Sequence, residues 1–412
     1  MLKILTSELL SCLNKVAPIV APYNPDQMTV NQDSSVLIKG THDDANEIEI
    51  ISHNKQSNLR VRVYCLEHKA FTPFVVEHNQ LARVTKAGLR NEVIIIERDP
   101  ERKGVAQIRF RNRQKDQKLK YEIQADDLKT FNLIDSTFPK NQKFSFEREA
   151  LNQIVDLCQR SMVKPNKSDV MDILKGMHLR SDKGDKGLYV TTTNRYSLSH
   201  CQYDAEDLDP TSLTLSNETV SIISRSFAAE APIQLEIGQD KIKLSQPGIT
   251  YITATLSGGY PDVKMLLPTS SVLNSITINA ALLLEQLLIL APIKSGQSQP
   301  IMIKVDKDMT LSMKAATIGT GQTIISAGNF ELFEEDKLEL ILLYDELVSV
   351  LTSIGDREIA IDIRDLKKSI VINVGKLDNI QPTYMLTRYV TMKDLKPKVD
   401  SDGNSIRDEK AA

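Results

Sequence analysis

The sequence predicts an α+β protein in which one strand–helix design is used three times, each copy setting two helices against antiparallel sheet. Three observations predict this. Segments beginning at Leu2, Phe144 and Ile276 align without gaps and share their apolar positions. A second set, beginning at Pro73, Ser212 and Glu339, does the same. Each member of the second set runs on into a strand-like stretch.

In LKILTSELLSCLNKV, FSFEREALNQIVDLC and ITINAALLLEQLLIL, Leu2, Phe144 and Ile276 coincide, as do Ile4, Phe146 and Ile278. These positions are two apart, the period of a strand face. Leu9, Leu151 and Leu283 then coincide, followed by Leu13, Val155 and Leu287, and by Val16, Cys158 and Leu290. Their spacing of 4 and 3 is that of a helix face. Each copy therefore opens with a strand and an amphipathic helix. In the second set Leu81, Val220 and Leu347 coincide, as do Val84, Ile223 and Val350, which marks a second helix. Ser216 reads as its N-cap in the middle copy and Asp345 in the third. The runs VIIIE (93–97), IQLEI (233–237) and IAIDI (359–363) read as the strands that follow. The copies begin near residues 1, 143 and 275, and about 130 residues each is a sensible domain size. Each helix needs to bury one stripe, which leaves its other face for water or a partner.

Composition narrows the function. The 412 residues are 41% hydrophobic with a net charge of −3, which excludes a globally basic nucleic-acid binder but not a local basic patch. Cys12, Cys65, Cys158 and Cys201 lack the close pairs of a zinc site and read as buried thiols of a reducing compartment. Glu8 and Lys15 interrupt the apolar N-terminus, unlike a signal peptide. Glu285, Gln286 and Pro292 break the most apolar window, 282–293, before it reaches the ~20 residues of a membrane span. The expected location is the cytoplasm. The chain has no P-loop, G-x-G-x-x-G, G-x-S-x-G or H-E-x-x-H, and its six histidines show no metal spacing. IGTGQT (318–323) lacks a phosphate-loop lysine and reads as a turn between strands. A non-enzymatic protein without cofactor or metal is expected.

Several stretches then resemble the bacterial sliding clamp, the beta subunit of DNA polymerase III, in order from Met1 to about Met392. ILKGMHLRS (173–181) resembles the family's L-N-G-M strand, and TTNRYSLSHC (192–201) its A-T-D-G-[HY]-R-L-A segment. GGYPDVKMLLP (258–268) resembles G-x-[FY]-P-D-[YF]-x-x-[VL]-[LI]-P. KTFNLIDSTFP (129–139) resembles the segment closing the first domain, and TYMLTRYVTM (383–392) the last strand. The resemblance implies domains over 1–142, 143–271 and 272–392, a disordered tail over 393–412, and a head-to-tail ring of two chains. In that ring the helices line the hole and the sheets face outward.

The resemblance further implies a pocket for short apolar-ended peptides of polymerases, the clamp loader and repair proteins. Carried over by position, its wall comprises Leu174, Thr193, Leu198, Pro261, Met265, Leu266, Met385 and Leu386. Arg195, Tyr196, Ser197, Lys264, Thr387 and Arg388 lie nearby. An apolar concavity with a polar rim suits a peptide anchor. Asn194-Arg195 stands for the family's Asp-Gly, Ser197 for its Arg, Met265 often for Arg, and Thr387-Arg388 for an apolar residue and proline. Altered peptide specificity is expected.

A ring holds duplex DNA by topology and by positive potential at phosphates, without reading sequence. The candidate DNA-facing residues are Lys15, Arg83, Lys86, Arg90, Arg148, Arg160, Lys164, Lys167, Arg225 and Lys294. Pro22-Tyr23-Asn24-Pro25 stands where the family often has Arg, and the third copy's helices carry almost no positive charge. RFRNRQKDQKLK (109–120) reads as a charged edge hairpin with its turn over 112–117. Gln107–Arg111 and Leu290–Ile293 are candidate ring-closing segments. Two functions follow: a DNA-encircling processivity clamp, or a clamp-like adaptor or decoy that takes the same peptides without loading on DNA.

Overall fold

A computed structural model describes residues 1–387 except 22–31, 42–45, 70, 91, 100, 103, 112–119, 128–130, 132, 135–137, 139–141, 169, 185–186, 206–208, 228–230, 268–269, 297, 327, 333–337 and 365–368. Arg388, the tail over 393–412, the turn over 112–117 and Pro22-Tyr23-Asn24-Pro25 lie outside the described residues.

The strand-then-helix pattern recurs at each predicted place. Strand Leu2–Leu5 leads into helix α1 (Thr6–Val16), and Phe74–Glu77 into α2 (His78–Ala87). Gln142–Phe146 precedes α3 (Arg148–Cys158), and Thr211–Ser216 precedes α4 (Asn217–Ser226). Asn274–Asn279 precedes α5 (Ala280–Ile289), and Leu338–Leu343 precedes α6 (Tyr344–Ile354). Three of the helices start where a side chain closes the first turn. Glu77 accepts from the Asn79 and Gln80 amides, Ser216 from Thr219 at 3.2 Å, and Asn279 from Leu282 at 3.1 Å. Asp345 is not the cap of α6. The helix begins at Tyr344, two residues sooner than a cap at Asp345 would start it, because Tyr344 is drawn inside, its hydroxyl donating to Leu287 O at 3.1 Å. Leu343 holds the cap position, and Asp345 sits in the first turn and pairs with Lys294.

The chain divides into two compact units, residues 1–155 with 213–258 and residues 156–212 with 259–412. The first unit holds one thirteen-stranded antiparallel sheet, ordered 142–146, 233–237, 241–246, 249–254, 57–64, 47–53, 35–40, 74–77, 120–127, 105–111, 93–98, 2–5, 67–68. Helix α1 packs against both α2 and α4, and Leu9, Cys12, Leu13 and Val16 form its buried stripe. The basic strand 105–111 is not an edge. It pairs with 93–98 on one side and with 120–124 on the other, while among the described residues 120–124 pair on one side only.

The larger sheet of the second unit runs 176–181, 187–193, 197–204, 380–386, 370–374, 358–363, 274–279, 329–332. A four-stranded sheet runs 319–325, 309–315, 300–305, 338–343. Residues 316–318 make the turn before 319–325, so IGTGQT is mostly edge strand. Helix α6 packs on α5 and on the turn Gln159–Ser161.

One joint occurs in both units with the same register. Strand 57–64 pairs with 249–254, placing Leu59 opposite Tyr251. Strand 197–204 pairs with 380–386, placing Ser199 opposite Tyr384. Both tyrosines are fully buried. All four cysteines are buried and free, as expected from their spacing, with the Cys158 and Cys201 sulfurs 3.5 Å apart. Among the described residues no helix is long and apolar enough to cross a membrane.

Candidate peptide-binding site

Most of the predicted pocket residues come from one turn, one strand end and one connecting segment of the second unit. Cross-strand pairing places Thr193 opposite Leu198, and Leu198 opposite Met385. Directly opposed residues share a face of the sheet. His178, opposite Thr191, and His200, also opposite Thr191, lie on that same face by the two-residue alternation. Tyr260 stacks on the His178 ring at 4.5 Å with the planes 2° apart, and Asp262 meets Arg180 at 3.3 Å. The segment that begins at Tyr260 therefore lies over the face carrying Thr193, Leu198 and Met385.

That segment ends in a short 3₁₀ turn, Val263–Met265, closed by the Leu266 amide donating to Val263 O at 2.9 Å. Val263 is buried, and the turn thrusts Met265 (85% exposed) and Leu266 (46%) outward. Pro261 is exposed beside them, and Leu174 is buried at the end of the 3₁₀ turn Asp172–Lys175. Burial pushes the Tyr260 hydroxyl pKa well up, so this ring stays a neutral packing element.

One predicted wall residue, Leu386, and one predicted to lie nearby, Ser197, belong elsewhere. Ser197 and Leu386 oppose one another one position from the Leu198–Met385 pair, so they point to the other face. There Ser197 Oγ donates to Glu346 Oε2 of α6 at 2.8 Å, and Leu386 is buried. They support the sheet from the helical side and do not line the wall.

The rim expected from the sequence corresponds to the turn Asn194–Ser197. Asn194 Oδ1 accepts from the Tyr196 and Ser197 amides at 2.9 and 2.8 Å, and Asn194 Nδ2 donates to Glu346 Oε2 at 2.7 Å. Thr193 Oγ1 donates to Ser197 O at 2.8 Å. So fastened, the turn displays Arg195 and Tyr196, both exposed. The exposed Thr387 closes the rim, its amide donating to Tyr196 O at 2.8 Å and its hydroxyl to Arg195 O at 3.3 Å. Lys264 stands in the 263–265 turn.

The basic candidates divide between the units. In the first, Arg83, Lys86 and Arg90 are exposed on and just after α2, Arg225 is exposed on α4, and Lys15 is half-buried at the end of α1. In the second, Arg160, Lys164 and Lys167 are exposed after α3. Lys294 is held 2.7 Å from Asp345, which offsets its charge. Arg148 leaves the set: it is 6% exposed and donates to Phe227 O at 3.3 Å. A guanidinium committed to a buried carbonyl cannot present its charge to a phosphate.

No family model matches the chain. A beta sliding clamp of Buchnera aphidicola is 28% identical over 148 residues, 35% of this chain and 39% of that protein. That match spans about two fifths of the relative's length. The crystal structure of the DNA polymerase III beta subunit of Pseudomonas aeruginosa superposes with a TM-score of 0.80 at 17% identity, over 95% of this chain and 99% of that one. The beta subunit of Borrelia burgdorferi, solved in complex with a natural product, gives 0.82 at 12% identity over 94% and 98%. The chain has the sliding-clamp fold.

Within this clamp fold, sequence reasoning missed Glu346 as a site residue and noted Asn194 only as a departure. The signal for Asn194 was present: Asn-x-x-Ser occurs at the same turn as Asn54–Ser57 and as Asn194–Ser197. Arg195 departs from clamp pattern at a cost, since its φ of 79° is in the left-handed region that suits glycine. Arg195→Gly is expected to raise the denaturant midpoint, by no more than about 1 kcal/mol of stability. Arg195→Val should lower it by about 1–2 kcal/mol. Equilibrium unfolding of the three proteins checks both.

Proposed function

We propose that this protein is a DNA sliding clamp, a processivity factor in which two chains close head to tail around duplex DNA. Superposition on bacterial beta subunits along nearly the whole of both chains carries the reading. Three domains, 1–142, 143–271 and 272–392, would give a ring of six. The chain would work in the cytoplasm at the nucleoid, as a binding and topological protein that performs no chemistry.

The cations support an interaction with phosphates. Seven exposed basic residues sit on or just after helices: Arg83, Lys86, Arg90, Arg160, Lys164, Lys167 and Arg225. Such groups position a duplex without selecting a sequence, which suits sliding. The site under Met265 and Leu266 would hold the apolar end of peptides carried by the polymerase, the clamp loader and repair proteins. Its wall is apolar and its rim is polar, the arrangement that fixes a short peptide in one orientation.

Ring closure has a structural rationale as well. Strand 319–325 is an edge carrying the half-exposed Ile324, with the half-exposed Ile318 in the turn just before it, and 120–124 leave one side unpaired among the described residues. Open edges of this kind are templates for another chain. A ring closed this way would extend the sheet as 197–204 and 380–386 extend it within the chain.

The test is retention on nicked circular DNA after loading, with release on linearisation. Retention of a species of twice the chain mass supports the clamp. A monomer that takes peptide but is never retained would move the function to an adaptor. Lys164→Glu with Lys167→Glu should reduce the slope of log K against log salt for duplex DNA by about 2, one for each phosphate no longer neutralised. An unchanged slope would remove these two residues from the DNA-facing set.

A further inference from the structure

We infer that Glu346 of α6, which lies outside the pocket wall, sets the shape of the pocket rim and so governs peptide affinity. The inference rests on the peptide-pocket reading above. Glu346 Oε2 accepts from Asn194 Nδ2 at 2.7 Å and from Ser197 Oγ at 2.8 Å. Asn194 Oδ1 in turn accepts the Tyr196 and Ser197 amides. One carboxylate oxygen thus fixes the first and last side chains of a four-residue turn. The two residues between them are the exposed ones, and their carbonyls hold Thr387. With Arg195 in a conformation that costs energy by itself, the turn needs an external fastening to keep it. A carboxylate acceptor supplies charge-assisted hydrogen bonds, roughly twice as strong as neutral ones.

The same fastening occurs once more, where no rim is formed. In the first unit Asn54 Nδ2 donates to both oxygens of Glu218 at 3.0 and 3.1 Å, and Ser57 Oγ donates to Glu218 Oε1 at 2.8 Å. Asn54 Oδ1 accepts the Gln56 and Ser57 amides at 2.9 and 2.7 Å. The next strand enters in the same way, with the Ala254 amide on Gln56 O at 3.0 Å, as the Thr387 amide is on Tyr196 O. The device is therefore a general fastener between a hairpin turn and a helix start. At Glu346 it has acquired a second task, because that turn, unlike its counterpart, carries the positive-φ arginine and the exposed tyrosine. Glu218 is its built-in control.

The experiment compares wild type, Glu346→Ala, Glu346→Gln and Glu218→Ala in the full chain. Binding is read by anisotropy of a fluorescein-labelled pentapeptide ending in Leu-Phe, and local order by amide exchange over 192–198 and 52–58. Glu346→Ala should speed exchange at 194–198 and weaken the peptide about tenfold, the effect of losing a charged acceptor shared by two donors. Glu346→Gln, which keeps an acceptor oxygen, should recover part of both. Glu218→Ala should speed exchange at 54–57 and leave peptide affinity at the wild-type value. Wild-type affinity and exchange in Glu346→Ala would overturn the inference alone. Equal weakening by Glu218→Ala would overturn it too, by showing general destabilisation. A wild type that ignores the peptide would bring down the pocket reading and the inference together.

Discussion

On the proposed two-chain ring, a chain carrying Ile318→Lys and Ile324→Lys is expected to stay a monomer in solution at concentrations where the unsubstituted chain would dimerise. Ile324 lies in the edge strand of the four-stranded sheet and Ile318 in the turn just before it, and they are 57% and 50% exposed. In a closed ring each would lose that exposure, worth up to about 1.5–3 kcal/mol per side chain. Their removal should raise the dimer dissociation constant by roughly 10²-fold or more. Lysine on an edge strand also opposes pairing directly, since its charge would have to be desolvated beside the incoming strand. Because both side chains already face solvent in the protomer, the chain should still fold cooperatively, with a melting temperature lowered only by the stabilisation that dimerisation had added. Light scattering across a dilution series reads the outcome, and retention on circular DNA should vanish with the dimer. A double variant that still dimerises would place closure on another surface.

The second large effect is expected at the pocket. Leu266→Asp should reduce affinity for an apolar-ended peptide by about 30-fold or more, the effect of removing a buried anchor from the centre of an interface. Leu266 is only half covered in the free chain, while Val263 beneath it carries the local packing. Stability should therefore change little while binding collapses, a separation that titration beside a thermal melt would expose. Loss of both together would assign Leu266 to the core. Unchanged affinity would move the anchor away from the 263–266 turn.

Much of the fold was legible in the sequence because it depends on local period. The six helices of the described residues and the strands before them follow the recurring apolar positions, since a stripe of Leu, Ile and Val at 3–4 spacing has few other uses. The errors have local physical causes. Asp345 has the chemistry of a cap, but Tyr344 is pulled inside and starts α6 two residues sooner than that cap would. Arg148 follows a strand as a DNA-facing residue might, yet a carbonyl from residue 227 takes its guanidinium. The family pattern brought Leu386 and Ser197 close to the pocket in sequence, but a strand alternates its faces. A single position decides between wall and support. Glu346 was beyond reach for a different reason. Its partners are 149 and 152 residues away, and only the fold reveals which carboxylate meets which turn.

The buried thiols have a practical consequence. Burial pushes Cys12 up to about 11 and Cys65 up to about 12, and the hydrogen bond with Cys201, together with burial, holds Cys158 high. The reactive form of a cysteine is its thiolate, and all four sulfurs are buried, so none competes for a maleimide at neutral pH while the chain is folded. One cysteine introduced at Lys167 becomes a single address for a dye on the native background. Opening of a ring could then be followed as a distance between two fluorophores, without first rebuilding a core whose packing depends on those four sulfurs.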